Sequence, residues 1–406
     1  MMSEFNDPFL VWRMIFTINF KKFKITKFCE IVLIVIYALV HCLLLYYTFT
    51  NFSANLLIRY GPVMIFYIFM IAATTFSIAL EAELSEVITF LDETCWPLNM
   101  IAEDAQVKLQ RKCRIINMCI AFVVLIILSA IIVNYPFFGD QRDFFICVRV
   151  FEEYFGEWSF VPYYFYFAAS PFFYYNYFKL CFTFVYAVLE AGLQFFLIEG
   201  YLLQTYKVDY LKRWKYLKDS RYQQELGKSL RLCIVHHIAL KKLVKMIVNL
   251  TVNGMPIFLL LGSLLYISCF TFTINLVNSL TNILKTRIIL MGASCVGVTV
   301  LLCWNGQQII DVISSIFTTL VGAPWYFWNL DNIKILLMFI TNCTKNDSIV
   351  LAGICLDYKL FASVCTPCGF VNFFIKFLFQ ILRISFSYAL VLFNLRKASV
   401  SWNNQN

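Results

Sequence analysis

The feature that most constrains this chain is a series of long stretches without one charged residue. Ile31–Thr50 (IVLIVIYALVHCLLLYYTFT) and Pro62–Leu80 (PVMIFYIFMIAATTFSIAL) come first, and Ile115–Phe138 is the third. About 20 apolar residues in a helix cross roughly 30 Å of hydrocarbon. Helices on the surface of a soluble core, by contrast, keep one polar face. These stretches are therefore read as membrane-spanning helices. Composition agrees: 61% of the 406 residues are hydrophobic, 18% aromatic and 14% charged, where a soluble domain carries about 25% charge. That balance excludes a soluble globular enzyme, a disordered chain and a small disulfide-stapled domain. The 15 cysteines do not change this, because Cys42, Cys119, Cys181, Cys269 and Cys295 lie inside apolar runs and act as small hydrophobes.

Four further spans follow. Between Phe160 and Tyr206 only Lys179, Glu190 and Glu199 are charged. That is too long for one lipid-embedded helix, so one span near Phe172–Ile198 is expected, with an aromatic extracellular lead-in. Met246–Leu284 is again charge-free and overlong, and is read as a span near Ile247–Thr273. Ile288–Cys303 makes the sixth and Phe370–Leu395 the seventh. Val312–Leu330 also lacks charge beyond its neighbours, but Gly322, Ala323 and Pro324 interrupt it, so it is read as a half-buried helix on the cytoplasmic side. Val208–Arg231 is charged and free of proline, and is read as continuing the fourth helix beyond the membrane.

Lys and Arg set the orientation. With the N-terminus inside, 22 of the 33 fall in cytoplasmic segments and 7 in external ones. The fold class is thus an all-α membrane protein of seven transmembrane helices, with the N-terminus cytoplasmic, the C-terminus extracellular and a cytoplasmic helical anchor layer. Residues 1–30 form the cytoplasmic N-terminal segment, whose basic end makes the first span a signal anchor rather than a cleavable leader. Residues 31–198 hold helices 1–4, 199–245 a cytoplasmic helical extension and 246–303 helices 5–6. Residues 304–369 form an anchor segment, 370–395 helix 7 and 396–406 an external tail. The orientation is opposite to that of G-protein-coupled receptors, whose triplet after the third span and Asn-Pro-x-x-Tyr in the seventh are both missing.

Reaction chemistry finds little footing. The three His are His41 inside the first span and His236–His237 in a basic amphipathic stretch. No His-Glu-x-x-His, Gly-x-Ser-x-Gly or phosphate-cradling loop is present, and Cys365-x-x-Cys368 lacks a second pair. No catalytic residue, metal or cofactor is expected, and the net charge of +9 belongs to topology rather than to nucleic acid. Glycosylation sequons occur at Asn51, Asn249, Asn342 and Asn346. Only Asn51 is external in this topology, so sugar on Asn342 or Asn346 would contradict it.

Two constellations carry information. In the last helix Asn372, Lys376, Gln380, Arg383 and Ser387 recur every three or four residues, and Asn394 rejoins that face. A polar stripe on a spanning helix faces protein or water, because isolated charges in lipid are costly. It reads either as packing against neighbouring helices or as the lining of a pore built from several copies. The second constellation is the aromatic density from Trp158 to Phe178. Part of it makes an interfacial belt, and the surplus suits an apolar pocket between helices for an uncharged volatile ligand.

The chain resembles the insect odorant receptors. Three segments carry the resemblance besides length and topology: the His236-His237 stretch (CIVHHIALKKLVKMI), the run CWNGQQIIDVISSIFTTLVGAPWYFWN with Cys303, Gly306, Ser314 and Trp328, and the ending SFSYALVLFNLRK. In related gustatory receptors the last helix carries Thr-Tyr, five apolar residues and Gln-Phe. Here the frame reads Ser387-Tyr388, ALVLF, Asn394-Leu395. The Ser-Tyr and the presence of Arg383 inside the span depart from the pattern.

The resemblance implies an odorant-gated, non-selective cation channel of four subunits in the plasma membrane of a sensory-neuron dendrite. A ligand-tuning subunit of this type assembles as a heterotetramer with an odorant co-receptor. The co-receptor's long insertion between the fourth and fifth spans is absent here, which points to the tuning subunit. By alignment to the family ending, Val391 and Leu395 form the hydrophobic gate with Asn394 beside it. The ligand, a small volatile organic molecule, is expected among residues at the depth of the family pocket: Phe66, Met70, Ile131, Tyr135, Tyr174, Tyr177, Phe178, Cys181 and Met291. The alternatives are a gustatory receptor channel acting without co-receptor and, more distantly, a membrane transporter or enzyme.

Overall fold

The computed structural model describes residues 7–16, 24–135, 142, 144–206, 217–252, 254–276 and 281–344. The seventh span lies outside the described residues, and with it Val391, Asn394 and Leu395, the Lys376 and Arg383 positions and the Cys365-x-x-Cys368 pair. Among the described residues every regular element is helical. The helices are α1 (Leu10–Phe16), α2 (Lys24–Thr50), α3 (Ala54–Ala79), α4 (Glu81–Thr94), α5 (Glu103–Asn134), α6 (Ile146–Phe155), α7 (Phe160–Thr205), α8 (Ser220–Val252), α9 (Met255–Leu276), α10 (Asn282–Val321) and α11 (Leu330–Thr344). Five stretches are helical, long and apolar enough to cross a membrane: Phe28–Thr50, Leu56–Ala79, Glu103–Asn134, Ile146–Thr205 and Asn282–Val321. The 22 residues of α9 add a sixth helix of about 33 Å.

The core is organised around α7, whose side chains are buried on nearly every face from Tyr166 to Leu202. Helices α3, α8 and α10 pack along it, α1 and α4 lie against its middle and inner parts, and α9 pairs with α3. By contrast α2 exposes most of its apolar surface, as a helix bathed in lipid does.

Several expected boundaries move. The aromatic lead-in is helix: α7 runs unbroken for 46 residues, about 69 Å. Pro171 sits inside it and cannot donate to the Phe167 carbonyl, and the Ser170 hydroxyl donates to that oxygen instead at 2.8 Å. The fourth helix does not continue to Arg231. It stops at Thr205, where the Tyr206 N–H closes on Leu202, and α8 starts afresh at Ser220, the Asp219 carboxylate accepting from the Arg221 and Tyr222 N–H groups.

The fifth span is also relocated. The chain breaks between α8 and α9, where Gly254 lies against Phe258 and Phe76 and Pro256 occupies the first turn of α9. Ile247–Val252 therefore belongs to α8, and α9 is the span. The sixth span and the half-buried helix after it are one element, α10, 40 residues long. It ends at Gly322, with Pro324 following, because that Gly-Ala-Pro sequence cannot carry the ladder further.

The inner ends of α7 and α10 join α4, α8 and α11 in a helical layer. Gln223 of α8 fastens it: its Nε2 donates to Phe327 O (2.9 Å) while its Oε1 accepts from Asn329 N (2.9 Å) and Asn332 Nδ2 (2.9 Å). Glu199 of α7 accepts from the Ser315 and Thr319 hydroxyls of α10.

Candidate ligand site and the inner polar network

Tyr174, Tyr177, Phe178 and Cys181 fall at i, i+3, i+4 and i+7 and so share one face of α7. Phe66 and Met70 share a face of α3, and Met291 and Cys295 one of α10. Packing brings the first two faces together. The Phe66 ring lies 6.1 Å from both Tyr174 and Tyr177, and Tyr177 meets Phe178 at 4.6 Å and Phe69 at 5.6 Å. Cys181 lies one helical turn further along the same face of α7. On the neighbouring helices the hydroxyls of Tyr266 of α9 and Thr299 of α10 are hydrogen-bonded at 3.0 Å. Met70 of α3 and Met291 of α10 are both buried. The result is a buried aromatic cluster where α3, α7 and α9 meet, with Phe69 also 5.5 Å from Phe258 of α9.

Ile131 and Tyr135 lie at the end of α5, and no contact joins them to the Phe66, Tyr174 and Tyr177 rings among the described residues. Ile131 packs against the hydrophobic core. Tyr37 was not anticipated. Its ring stacks on Phe173 at 4.3 Å and 8°, lies 4.9 Å from Tyr166, and its hydroxyl donates to the Tyr166 carbonyl at 2.7 Å. Tyr37, Phe69, Tyr166 and Tyr266 extend the aromatic set beyond the expected helices. A lone Tyr inside an otherwise aliphatic run, as at Tyr37 and Tyr266, is the signal that marks them: a phenol in a spanning helix needs a partner.

A second constellation lies in the inner half. The Gln194 amide bridges α7 to the turn after α4, accepting from Trp96 N at 2.7 Å and donating to Trp96 O (3.3 Å) and to Glu190 Oε1 (3.1 Å). His236 of α8 approaches the same amide oxygen at 3.3 Å and stacks on Trp96 at 4.1 Å. His237 packs between Phe195 and Phe339, with Cys343 at 3.7 Å. Among the described residues no three His, Cys, Asp or Glu side chains gather in a way that would hold a metal ion.

Burial pushes both imidazoles down from 6.5 to about 4, with the nearby Lys241 charge adding to the effect at His237. Both are neutral in the fold while an unfolded chain protonates them below about pH 6.5. Stability is therefore fully present above that pH and is lost as pH falls toward 4, by up to about 3 kcal/mol for each ring. Between about pH 6.5 and 4.5 the wild-type protein should lose more melting temperature than a His236→Gln, His237→Gln variant. An unchanged slope in the variant would assign the acid sensitivity elsewhere.

No protein-family model matches this chain, and no curated protein matches it in sequence. In fold it is similar to the structure of the insect olfactory receptor OR5 from Machilis hrabei, with a TM-score of 0.64 over 92% of this chain and 90% of that one at 10% identity. The likeness at that identity is one of fold: the chain has the all-helical, multi-pass membrane architecture of an insect odorant receptor.

Proposed function

We propose that this chain is a ligand-binding subunit of an odorant-gated cation channel. The observation that carries the reading is the buried aromatic cluster where α3, α7 and α9 meet, set in a fold shared with an insect olfactory receptor. A volatile organic ligand offers mainly apolar surface. Burying roughly 200 Å² of it at about 25 cal/mol per Å² supplies about 5 kcal/mol, which places half-maximal response in the high micromolar range. In this reading the N-terminus is cytoplasmic, the protein resides in the plasma membrane, and a co-receptor completes a heterotetramer. Ligand seated among Phe66, Met70, Tyr174, Tyr177, Phe178, Cys181 and Met291, and reaching Ile131 and Tyr135 at the end of α5, favours an expanded outer bundle. The last helix then carries Val391, Asn394 and Leu395 away from the pore axis, opening a hydrophobic constriction.

The test is co-expression with and without an odorant co-receptor while current is recorded across a broad volatile panel. Odour-evoked cation current only in the co-expressed cells is the expected result. Current from this chain alone would favour a self-sufficient channel of the gustatory kind. Silence in both conditions, with the chain at the cell surface, would remove the odorant reading.

A further inference from the structure

One face of α5 changes character within a single turn. Lys108, Arg111, Lys112 and Ile115 fall at i, i+3, i+4 and i+7, and Met118, Cys119 and Phe122 continue that face outward. Lys108 and Arg111 are exposed and Lys112 is partly exposed, with Arg114 exposed at the edge of the face. Ile115, Met118 and Phe122 are half or more exposed, and Cys119 is exposed with them, as side chains bathed in lipid are. Three cations therefore stand directly inward of an apolar stripe.

Their depth follows from the helix rise. A hydrocarbon core of about 30 Å in a bilayer of about 40–45 Å leaves roughly 5–8 Å of headgroup on each side. Arg111 and Lys112 lie about 6 and 4.5 Å inward of Ile115, within that layer, and Lys108 is one turn further. Cations on the inner side serve topology wherever they stand. Gathering three on one face of one helix has a cost, because like charges at i, i+3 and i+4 repel. Among the described residues none of the three has an ion-pair partner, and Asp104, one turn inward on the same face, makes no ion pair either. On the neighbouring helices Glu199 accepts from Ser315 and Thr319, and Asp311 accepts from Gln307. The Lys112 ammonium rests on the Phe196 ring of α7 at 4.0 Å.

A partner for these cations must be anionic, must lie in the headgroup plane, and must bring apolar chains to cover Ile115, Met118 and Phe122. A soluble anion meets the first condition alone, whereas an acidic phospholipid meets all three, and clustered Lys and Arg beside a span attract such lipids. We propose that this face of α5 binds an anionic phospholipid of the inner leaflet. Its phosphate lies against Arg111 and Lys112, Lys108 meets the acidic end of the headgroup, and an acyl chain runs along Ile115, Met118 and Phe122. The site is separate from the aromatic cluster and does not rest on the odorant reading.

Photolabelling of the full-length protein in phosphatidylcholine nanodiscs tests it. The discs carry a trace of either a phosphatidylserine or a phosphatidylcholine probe, each with a diazirine in its acyl chain. Peptide mapping should find the serine lipid on residues 115–122 several-fold more often than the choline lipid. A Lys108→Gln, Arg111→Gln, Lys112→Gln variant should lose that preference. An Arg221→Gln, Lys228→Gln, Arg231→Gln variant removes the same charge from exposed positions of α8 and should keep it. Glycerophosphoserine, the headgroup without its chains, should not displace the probe. Equal labelling of the wild-type protein by the two probes would overturn the proposal, and so would a preference that survives in the α5 variant. Displacement by the soluble headgroup would assign the cations to a soluble anion and overturn it as well. The wild-type comparison decides even if a variant fails to fold.

Discussion

Gln194→Leu should cost about 3–5 kcal/mol of stability and remove most of the protein from the cell surface. The substitution keeps volume and removes an amide that serves four groups at once. The turn after α4 is extended at Cys95 and precedes Pro97, so the Trp96 peptide points its N–H and C=O at α7 instead of into a helix. Gln194 is the partner of both, and it also meets Glu190 and His236. A leucine leaves the Trp96 N–H and one His236 nitrogen without partners and Glu190 Oε1 with the Cys95 thiol alone, while the second Glu190 oxygen already lacks a partner. The penalty for each orphan is about 1–3 kcal/mol, and relaxation of the turn recovers part of the sum. Gln204→Leu on the same helix is the control, since that side chain is exposed and its loss should fall within about 0.5 kcal/mol. Melting of both variants in detergent, with surface labelling in cells, checks this. Equal melting temperatures would mean that the network is not what ties α4 and α8 to α7.

The spans were legible because lipid imposes a crude rule, the exclusion of charge, that survives in any reading of the sequence. Their ends were not. The inner parts of α7, α8 and α10 leave the lipid and bury one face against each other, so charges return on the other face and the charge-free criterion stops too early. Thus α10 runs to Val321 rather than Cys303. The lead-in before Phe172 was set outside the span because the stretch is too long for one lipid-embedded helix, yet it is helical across Pro171. The Ser170 hydroxyl compensates for the missing donor, and that local bond is not visible in hydropathy. The break near Gly254 was missed for the opposite reason: the run is uniformly apolar, and only backbone chemistry at Gly254 and Pro256 divides it.

The aromatic site was half legible. Depth in the pocket of the resembled family put Tyr174, Tyr177, Phe178 and Cys181 in the expected set, and the helix turns all four to one face of α7. Tyr37 and Tyr266 were absent from the expected set, because it was drawn by depth from four spans and the first and fifth were not among them. Glu190 and Gln194, four residues apart in an apolar helix, carried the signature of a buried polar pair, yet their partners on α4 and α8 are far away in sequence and follow only from packing.

Tyr177→Ala should weaken ligand response by about 10²-fold. This ring is the one side chain of α7 seen to meet α3 through both Phe66 and Phe69. Truncation withdraws roughly 100 Å² of apolar wall from any molecule held there, about 2.5 kcal/mol at 25 cal/mol per Å², which is close to two decades in concentration. Tyr177→Phe separates wall from hydroxyl. It retains the ring, so it should preserve sensitivity to hydrocarbon-like volatiles and shift only ligands that bear an oxygen able to bond the phenol. Tyr164→Ala on the same helix is the control, because that ring is 65% exposed and faces away from the core. The measurement is the half-maximal concentration of odour-evoked current in co-receptor-expressing cells, normalised to protein at the surface. A rightward shift confined to the Tyr177 variants assigns the aromatic site to ligand binding. An unchanged half-maximal concentration in Tyr177→Ala, with surface protein and maximal current intact, would place the ligand elsewhere in the outer bundle while leaving the channel reading standing.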